Sequence, residues 1–222
     1  MALTYDEFIS LHGADPDWVE LQKDYYFEKD LRRALHGNRE GFLELAVYGR
    51  DDKVSPRIMR ALWKAGISPQ PARYFIRRQW QIQSTYFVSA FDEDIDAFLH
   101  DAGFRTTRLP DEFDVWRGGC EPIDEMSRGR SWTRSYSAAC AFALNVELWR
   151  DAEGEKLARQ HGYAEPLVLT RRIRREQAAA WLGGVEREVV LKTEVLASPA
   201  QICRSLPDWR RHRARRQEWI RR

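Results

Sequence analysis

Two glutamates, Glu186 and Glu188, stand two residues apart at the start of an apolar, β-branched run that ends at Leu191. A strand places every second side chain on one face, so a strand over residues 184–191 would bring both carboxylates together. Like charges at that distance repel, and a fold that keeps them provides a cationic or electrophilic group opposite. The pair could therefore stabilise positive charge that develops during a reaction. The exposed polar face of an edge strand has the same pattern, and the pair alone leaves both interpretations open.

Two earlier motifs contain other residues that could take part in chemistry. The first is Val-Trp-Arg-Gly-Gly at residues 115–119, where Arg117 ends an alternating, strand-like segment. A guanidinium at a strand end can bind phosphate oxygens with two parallel hydrogen bonds, and a surface salt bridge is the alternative. The second motif is Ser-Trp-Thr at residues 131–133, a short strand candidate followed by an alanine-rich helix that includes Phe142.

The order of these three motifs resembles that of the Arg–Ser–Glu class of mono-ADP-ribosyltransferases. That family has an aromatic-Arg-Gly strand, a Ser-Thr-Ser-type strand leading into a helix with a Phe-Ala pair, and a Glu/Gln-x-Glu strand. The resemblance covers roughly residues 112–200. It implies an α+β fold in which a split β-sandwich surrounds an NAD cleft. It also implies an enzyme that uses NAD as a substrate and needs no metal.

The resemblance assigns a role to each motif residue. Splitting the bond between nicotinamide and ribose passes through an oxocarbenium-like transition state, as in glycoside cleavage. Glu188 would be the catalytic carboxylate that binds the ribose hydroxyls and favours this cation. Glu186 would orient or deprotonate the acceptor. The residues expected to hold NAD are Arg117, Gly118, Ser131, Thr133 and Phe142.

Some of these assignments have alternatives. Gly118 lets the backbone approach a ligand closely, and in the family its position hydrogen-bonds the nicotinamide amide. Ser131 would support the site by hydrogen bonding, or it is a hydroxyl at a strand edge. Phe142 would stack near nicotinamide, or it packs in the core.

The expected acceptor depends on residues that precede the catalytic carboxylate. In the family, Glu at the first position of the pair accompanies arginine acceptors, so Glu186 favours a protein arginine, whose guanidinium it can pair with. Gln at that position often accompanies cysteine, asparagine or a nucleic-acid base. Residues 174–184 correspond in position to the target-recognition loop of the family, and residues 176–182 are predicted to be a loop or short helix. Trp181 is either an exposed recognition aromatic or a buried anchor of the strand.

An Arg-rich tail at residues 204–222 indicates a second kind of partner. It contains eight Arg against two acidic residues, a net charge of +6, whereas the other 203 residues carry −4. This density can bind a phosphate backbone, so the tail could contact RNA, DNA or ribosomes, or make a nucleic acid the acceptor. The alternative is a solvated end, or a helix paired with an acidic partner.

The chain departs from the family pattern in three places. Trp116 stands where Tyr is commoner, and Trp132 occupies the middle of the Ser-Thr-Ser-type motif. Only 13 residues separate Arg117 from Ser131. This spacing leaves little room for the helix that often lies between these two motifs.

The elements that must position the motifs divide the chain into a helical first part and a strand-rich second part. A capping box at Thr4 and Glu7, glycines at helix ends and helical periodicity predict helices over the first hundred residues, with Asp92 capping the last. Residues 150–163 are predicted to be a loop or a mobile helix. The predicted regions are a helical accessory region at 1–105, a catalytic core at 106–203 and the tail at 204–222.

Composition limits the class of protein. The chain has 222 residues, enough for a sizeable core, and three Cys without paired spacing, which argues against a disulfide framework or a Cys-based zinc site. The sequence shows no signal-peptide pattern and no apolar run of membrane length. We therefore expect a cytoplasmic protein without a membrane partner.

These observations favour an NAD-dependent mono-ADP-ribosyltransferase of the kind that microbes and phages use as toxins or effectors. An NAD glycohydrolase would use the same site without an acceptor. ADP-ribosylation of RNA or DNA is a further alternative. A non-enzymatic nucleic-acid-binding protein, built from the helical half and the tail, is the alternative from a different class.

Overall fold

The computed structural model describes residues 3–12, 25–47, 54–144, 152–184 and 187–204. The chain separates into two compact units, Met1–Phe104 and Arg105–Arg222. Among the described residues, the first unit contains helices and the second contains all the strands. The mixed helix-and-strand class expected from the sequence is confirmed.

The first unit contains six α-helices within its described residues. They are α1 (Tyr5–His12), α2 (Tyr25–Leu35), α3 (Arg39–Val47), α4 (Val54–Lys64), α5 (Arg73–Phe91) and α6 (Ile95–Asp101). Short 3-10 turns at Gln70–Ala72 and Asp92–Asp94 flank α5.

Local hydrogen bonds explain where several of these helices begin and end. The predicted capping box is confirmed, since the backbone N–H of Thr4 donates to the Glu7 carboxylate at 2.8 Å and Glu7 N–H donates to Thr4 Oγ1 at 3.3 Å. Gly37, at a φ of +75°, closes α2 in a conformation that favours glycine. The prediction that Asp92 caps α6 is wrong, because Asp92 begins a 3-10 turn and the helix starts after Asp94.

Aromatic side chains form much of the core of this unit. The rings of Phe91 and Phe98 lie 4.1 Å apart, and both side chains are fully buried. Trp80 and Phe87 are also buried, with their ring centroids 5.6 Å apart. These aromatics are therefore unavailable for stacking with bases, whereas Tyr74 is 67% exposed.

The second unit is built on one open antiparallel sheet of six strands in the order β4-β5-β2-β1-β3-β6. The strands are β1 (Glu112–Gly119), β2 (Ser131–Thr133), β3 (Leu167–Arg174), β4 (Ala178–Gly183), β5 (Glu188–Leu191) and β6 (Gln201–Arg204). The helices of this unit are α7 (Ile123–Arg128), α8 (Tyr136–Leu144), α9 (Ala152–Gln160) and α10 (Thr193–Leu196).

Of the neighbouring strands in the sheet, β1 and β2 are joined by the fewest residue pairs among the described residues. Strands β1 and β3 pair over eight residues, whereas β1 and β2 share a single pair in register among the described residues, Trp116 with Thr133. Among the described residues, β1 and β2 form no further residue pair towards Arg117 on β1 and Ser131 on β2. The sheet therefore consists of two three-stranded halves that meet at one pair of residues.

The two faces of the sheet pack against different elements. On one face, the main core includes Val115, Trp132 and Val189 together with Val195 and Leu196 of α10. On the other face, α8 packs against Trp116 and Val168 through its buried alanines, which are Ala139 and Ala143. Alternation along each strand explains the division, because neighbouring residues point to opposite faces.

A buried arginine joins the helices on the core face to the sheet. Arg171 on β3 is 7% exposed, and its guanidinium donates to the carbonyl oxygens of Val195 at 3.0 Å and Ser127 at 3.1 Å. The guanidinium carbon also lies 5.2 Å from the centre of the Trp132 ring. Burial lowers the pKa of Arg171. This side chain ties α7 and α10 to the middle of the sheet.

The structure corrects one sequence prediction about this unit and decides two points that the sequence left open. The prediction of a loop or short helix before Gly183 is wrong for Ala178–Gly183, which pairs with β5 as strand β4. Despite the short spacing between the first two motifs, the six-residue helix α7 fits between them. Residues 152–160 form helix α9 within the segment predicted to be a loop or mobile helix.

Candidate active site between strands β1, β2 and β5

Glu188 is the first residue of β5 and is held by the neighbouring strand. Thr133 of β2 is its partner in register, and Ser131 pairs with Val190 two residues along. The side chains of Ser131 and Glu188 therefore share one face of the sheet. The Ser131 hydroxyl donates a hydrogen bond to Oε1 of Glu188, whose carboxylate is 4% exposed. The second and third sequence motifs thus meet through a direct side-chain contact.

Arg117 contacts the backbone of β2 from β1. Its Nη1 donates to the carbonyl oxygen of Ser131 at 2.6 Å. The guanidinium lies over Gly129, where a Cβ would come within 2.5 Å of Nη2 and 2.7 Å of Nη1. A side chain at position 129 would therefore displace the guanidinium. Arg117, Ser131 and Glu188, taken from three separate motifs, are thus linked by hydrogen bonds, although alternation puts the side chain of Arg117 on the sheet face opposite the other two.

Arg117 retains an unused donor. Its Nε is buried and has no hydrogen-bond acceptor among the described residues. Burial lowers the pKa of Arg117, and the negative charges of Glu121 and Glu188 act in the opposite direction. A buried donor without an acceptor is costly. An anionic ligand that supplied an oxygen atom here would remove that cost.

Gly118 has a role that the sequence did not predict. A Cβ at this position would collide with the carbonyl oxygen of Ala139 and would lie 2.8 Å from the backbone nitrogen of Ala143. Both atoms belong to the backbone of α8. The side of Gly118 that lacks a side chain is therefore filled by a helix, so glycine is required here for packing of α8 on β1.

Thr133 and Phe142, both predicted to hold NAD, occupy different surroundings. Thr133 is buried, and its Oγ1 accepts a hydrogen bond of 2.8 Å from the backbone N–H of Ser135. That bond organises the turn into α8, where Ser135 also caps the helix through Ala138 N–H. Phe142 is 49% exposed on α8. Its alternative assignment to the core is therefore wrong, and the ring is available for contact with a ligand.

Trp181 lies on the other face of the sheet from Glu188. It pairs with Val189 on β5 and packs, partly buried, against the core that contains Val189. Glu188 is the next residue along β5 and therefore points to the opposite face. The guanidinium carbon of Arg134 lies 5.9 Å from the Trp181 ring. The structure thus places Trp181 in a strand at the edge of the core rather than in an exposed loop.

Glu186 and residues 205–222 of the Arg-rich tail lie outside the described residues. Arg187 precedes Glu188 at a φ of +52°, and its carbonyl oxygen accepts a hydrogen bond of 2.9 Å from Arg134 N–H. The regular strand conformation therefore begins at Glu188 rather than at residue 184.

Two residues near the site were missed by the sequence motifs. Gly129 provides the surface on which the Arg117 guanidinium lies. A carboxylate oxygen of Glu121 lies where a Cβ on Gly119 would be, and alternation places that point on the same side of β1 as Arg117. Gly129 stands immediately before the second motif, which could have drawn attention to it. Glu121 lies outside every motif, so no sequence pattern identified it.

No protein-family model, curated protein or solved structure matches the chain. Within the part of the chain that the structure describes, no three His, Cys, Asp or Glu side chains are grouped closely enough to hold a metal ion. In the same residues, no helix is long and apolar enough to cross a membrane. A functional assignment therefore has to be argued from the site itself.

Proposed function

We propose that this protein is a mono-ADP-ribosyltransferase that transfers ADP-ribose from NAD to a macromolecular acceptor, with a protein arginine favoured. The observation that carries the proposal is the convergence of Arg117, Ser131 and Glu188. These residues are 14 and 57 positions apart in sequence, yet they are linked by consecutive hydrogen bonds. They are also the residues by which the three motifs resemble the Arg–Ser–Glu class.

Transfer of ADP-ribose requires a carboxylate whose position is fixed before the reaction begins. In the transfer, the bond between nicotinamide and ribose breaks, neutral nicotinamide leaves with the bonding electrons, and the acceptor bonds to the ribose carbon and loses a proton. Glu188 is suited to stabilise positive charge on the ribose, because it is buried and already oriented by Ser131. A preorganised charge in a buried site acts more strongly than one in water.

Arg117 is suited to hold the phosphate groups of NAD. A guanidinium binds phosphate oxygens through several fixed donors. The bond to Ser131 fixes one end of the group, and the buried Nε is a donor that lacks an acceptor among the described residues. A phosphate oxygen would satisfy this donor, so the residues present fit the substrate.

The form of the sheet supports the finer part of the fold proposal. We expect the narrow junction between β1 and β2 to correspond to the opening of a split sheet around an NAD cleft. Arg117 directly follows the last residue of β1 that pairs with β2. The exposed ring of Phe142 is on α8, which packs on β1 at Gly118. It is therefore a candidate to contact nicotinamide.

The acceptor is proposed from the sequence alone. Glu186 favours a protein arginine because a carboxylate pairs with a guanidinium and can withdraw its proton. The Arg-rich tail supports the second candidate, a nucleic-acid acceptor. Trp181 is a weaker candidate for a recognition residue than its position in the sequence suggests, since it packs against the core on the face opposite Glu188.

The test follows both products of the reaction. Purified protein would be incubated with a cell lysate and with NAD labelled in its adenylate half, while released nicotinamide is measured. Glu188→Gln removes the charge but keeps the shape, and we expect it to lower both products by about 100-fold or more. Glu194→Gln is the matched control, because Glu194 is an exposed carboxylate of the same unit. We expect it to leave both products unchanged.

Each outcome identifies a different activity. Label on protein arginine, located by mass spectrometry, would support the favoured acceptor. Label removed by nuclease treatment would indicate a nucleic-acid acceptor. Nicotinamide release without label in any macromolecule would indicate a glycohydrolase. Absence of nicotinamide release, together with absence of NAD binding, would refute the enzyme and leave the non-enzymatic alternative.

A further inference from the structure

The first turns of α5 carry three basic side chains around an exposed tyrosine. Arg73, Tyr74 and Arg78 are exposed, and Arg77 is partly exposed. Spacings of three and four residues bring Tyr74 next to Arg77 and Arg78, and they bring Arg73 next to Arg77. These four residues, the α5 patch, all belong to the first unit.

Packing of the buried side of α5 orients the α5 patch. Ile76 and Trp80 are four residues apart on another row of the helix, and both are fully buried. Burial of this row fixes the rotation of the helix and leaves the patch on its outer side. Arg73 is held at the border, because its guanidinium carbon lies 5.0 Å from the centre of the buried Phe104 ring.

The positive charge of the α5 patch is not balanced by carboxylates of the described residues. Helix α5 contains three Arg and no Asp or Glu. Within the part of the chain that the structure describes, none of these three arginines forms an ion pair, and Arg73 and Arg77 contact aromatic rings instead. By contrast, the exposed Arg32 of α2 pairs with Glu28 at 2.9 Å.

This arrangement of charges opposes the stability of α5. Like charges four residues apart on a helix repel each other, as Arg73 and Arg77 do here. The helix dipole also disfavours cations in the first turn, where Arg73 lies. Folding alone therefore does not explain the α5 patch, whereas binding of a polyanion would remove the repulsion.

Tyr74 indicates which polyanion fits. It is 67% exposed, and the guanidinium carbon of Arg77 lies 5.4 Å from the centre of its ring. An exposed aromatic ring beside a guanidinium is a surface on which a nucleic-acid base can stack.

We propose that the α5 patch binds single-stranded nucleic acid, with Tyr74 stacked on a base and the three arginines in contact with neighbouring phosphates. Arginine binds phosphate oxygens through several fixed donors. A single strand fits better than a duplex, because its bases are free to stack on a protein ring. The proposal concerns the first unit alone and does not depend on the proposed enzymatic activity.

The test measures how affinity for a single strand depends on salt. The full chain would be titrated into a fluorescein-labelled oligothymidylate at several salt concentrations and followed by fluorescence anisotropy. Arg78→Gln should lower the affinity and reduce the slope of log affinity against log salt by about 0.7, the value for one phosphate contact of a single strand. Tyr74→Ala should lower the affinity about tenfold with an unchanged slope, whereas Tyr74→Phe should bind like the unaltered chain.

Arg32→Gln is the matched control for the loss of charge. Like Arg77, Arg32 lies over a tyrosine ring, with its guanidinium carbon 4.0 Å from the centre of Tyr5. Its charge is already paired with Glu28, so we expect this variant to leave the affinity and the salt slope unchanged.

Several results would overturn the proposal. One is failure of the unaltered chain to bind the oligothymidylate. Another is binding that neither Arg78→Gln nor Tyr74→Ala weakens, since the contact would then lie elsewhere, for example in the Arg-rich tail. Equal losses in Arg32→Gln and Arg78→Gln would show that net charge alone explains binding. Polyglutamate has the charge but no bases, so competition by polyglutamate as effective as that by unlabelled oligothymidylate would indicate an acidic protein partner instead.

Discussion

Replacement of Gly118 by alanine distinguishes two roles of one residue. If the glycine is needed for α8 to pack against β1, the added methyl group must push the helix away. The colliding atoms are the carbonyl oxygen of Ala139, the carbonyl carbon of Ala139 at 2.7 Å and the backbone nitrogen of Ala143 at 2.8 Å. All three are backbone atoms, so no rotation of a side chain can relieve the collision. Only movement of α8 or β1 can do so.

The size of the effect follows from this geometry. Ordinary contacts begin near 3.4 Å, and the Ala139 carbonyl oxygen lies nearer to the Cβ position than its carbon at 2.7 Å, so the helix must retreat by more than about 0.7 Å. A gap of that size or larger forfeits at least about a quarter of the dispersion energy along the packed face. The buried contacts at stake are those of Ala139, Ala143 and Val168. We therefore expect a loss of about 1–3 kcal/mol in the free energy of unfolding, the usual range for overpacking.

Urea unfolding of the full chain, followed by both tryptophan fluorescence and circular dichroism, measures this loss. Because the chain has two compact units, hydrogen exchange of the amides in β1 and α8 should accompany it to locate the change. Gly162→Ala is the control, since no atom lies within 4 Å of a Cβ there and its φ of +77° adds only backbone strain. We expect faster exchange in α8 for Gly118→Ala but not for the control.

One result would refute this reasoning. An unchanged free energy of unfolding and unchanged amide hydrogen exchange in Gly118→Ala would mean that α8 does not pack against the glycine. If NAD cleavage were lost at the same time, the glycine would instead serve the approach of a ligand, as the sequence first suggested. Loss of both stability and activity is expected if the helix moves, because α8 also carries Phe142.

Two further predictions concern the site and the core. Ser131→Ala removes the hydroxyl that orients Glu188 but keeps the carbonyl that binds Arg117, so we expect a loss of about tenfold or more in NAD cleavage with NAD binding retained, as measured by initial rates and calorimetry. Retained cleavage would show that the carboxylate needs no such support. Arg171→Met leaves two buried carbonyl oxygens without their donor, so we expect a loss of about 2–4 kcal/mol in urea unfolding even though the methionine is apolar. Unaltered stability would show that removing the buried charge offsets the two lost bonds.

Local features were predictable from the sequence because their causes are local. The capping box at Thr4 and the glycine end of α2 at Gly37 each depend on residues within a few positions. Alternation predicts a strand over residues 111–117, and the observed strand β1 is Glu112–Gly119. The convergence of Arg117, Ser131 and Glu188 was expected only through the resemblance, since each motif alone is compatible with an ordinary surface role.

Other features depend on partners that are distant in sequence. Strand β4 consists largely of alanine, and its conformation depends on pairing with β5, which no local preference encodes. The role of Gly118 depends on Ala139, 21 positions later, and the role of Gly129 depends on the guanidinium of Arg117. Nor did the sequence identify the ion pairs of Arg60 and Lys64 with Asp94, which lies 34 and 30 positions later.

Because a single residue pair joins β1 and β2, ligand binding at this junction would affect the mechanical stiffness of the sheet. Among the described residues, Trp116 with Thr133 is the only pair in register between the halves of the sheet, and the Arg117–Ser131 bond lies next to it. A guanidinium drawn fully towards a ligand would give up that bond and leave one pair of residues to carry shear between the halves. Occupancy of the site and the stiffness of the sheet would then change together, so a force applied across this junction would be resisted differently with and without ligand.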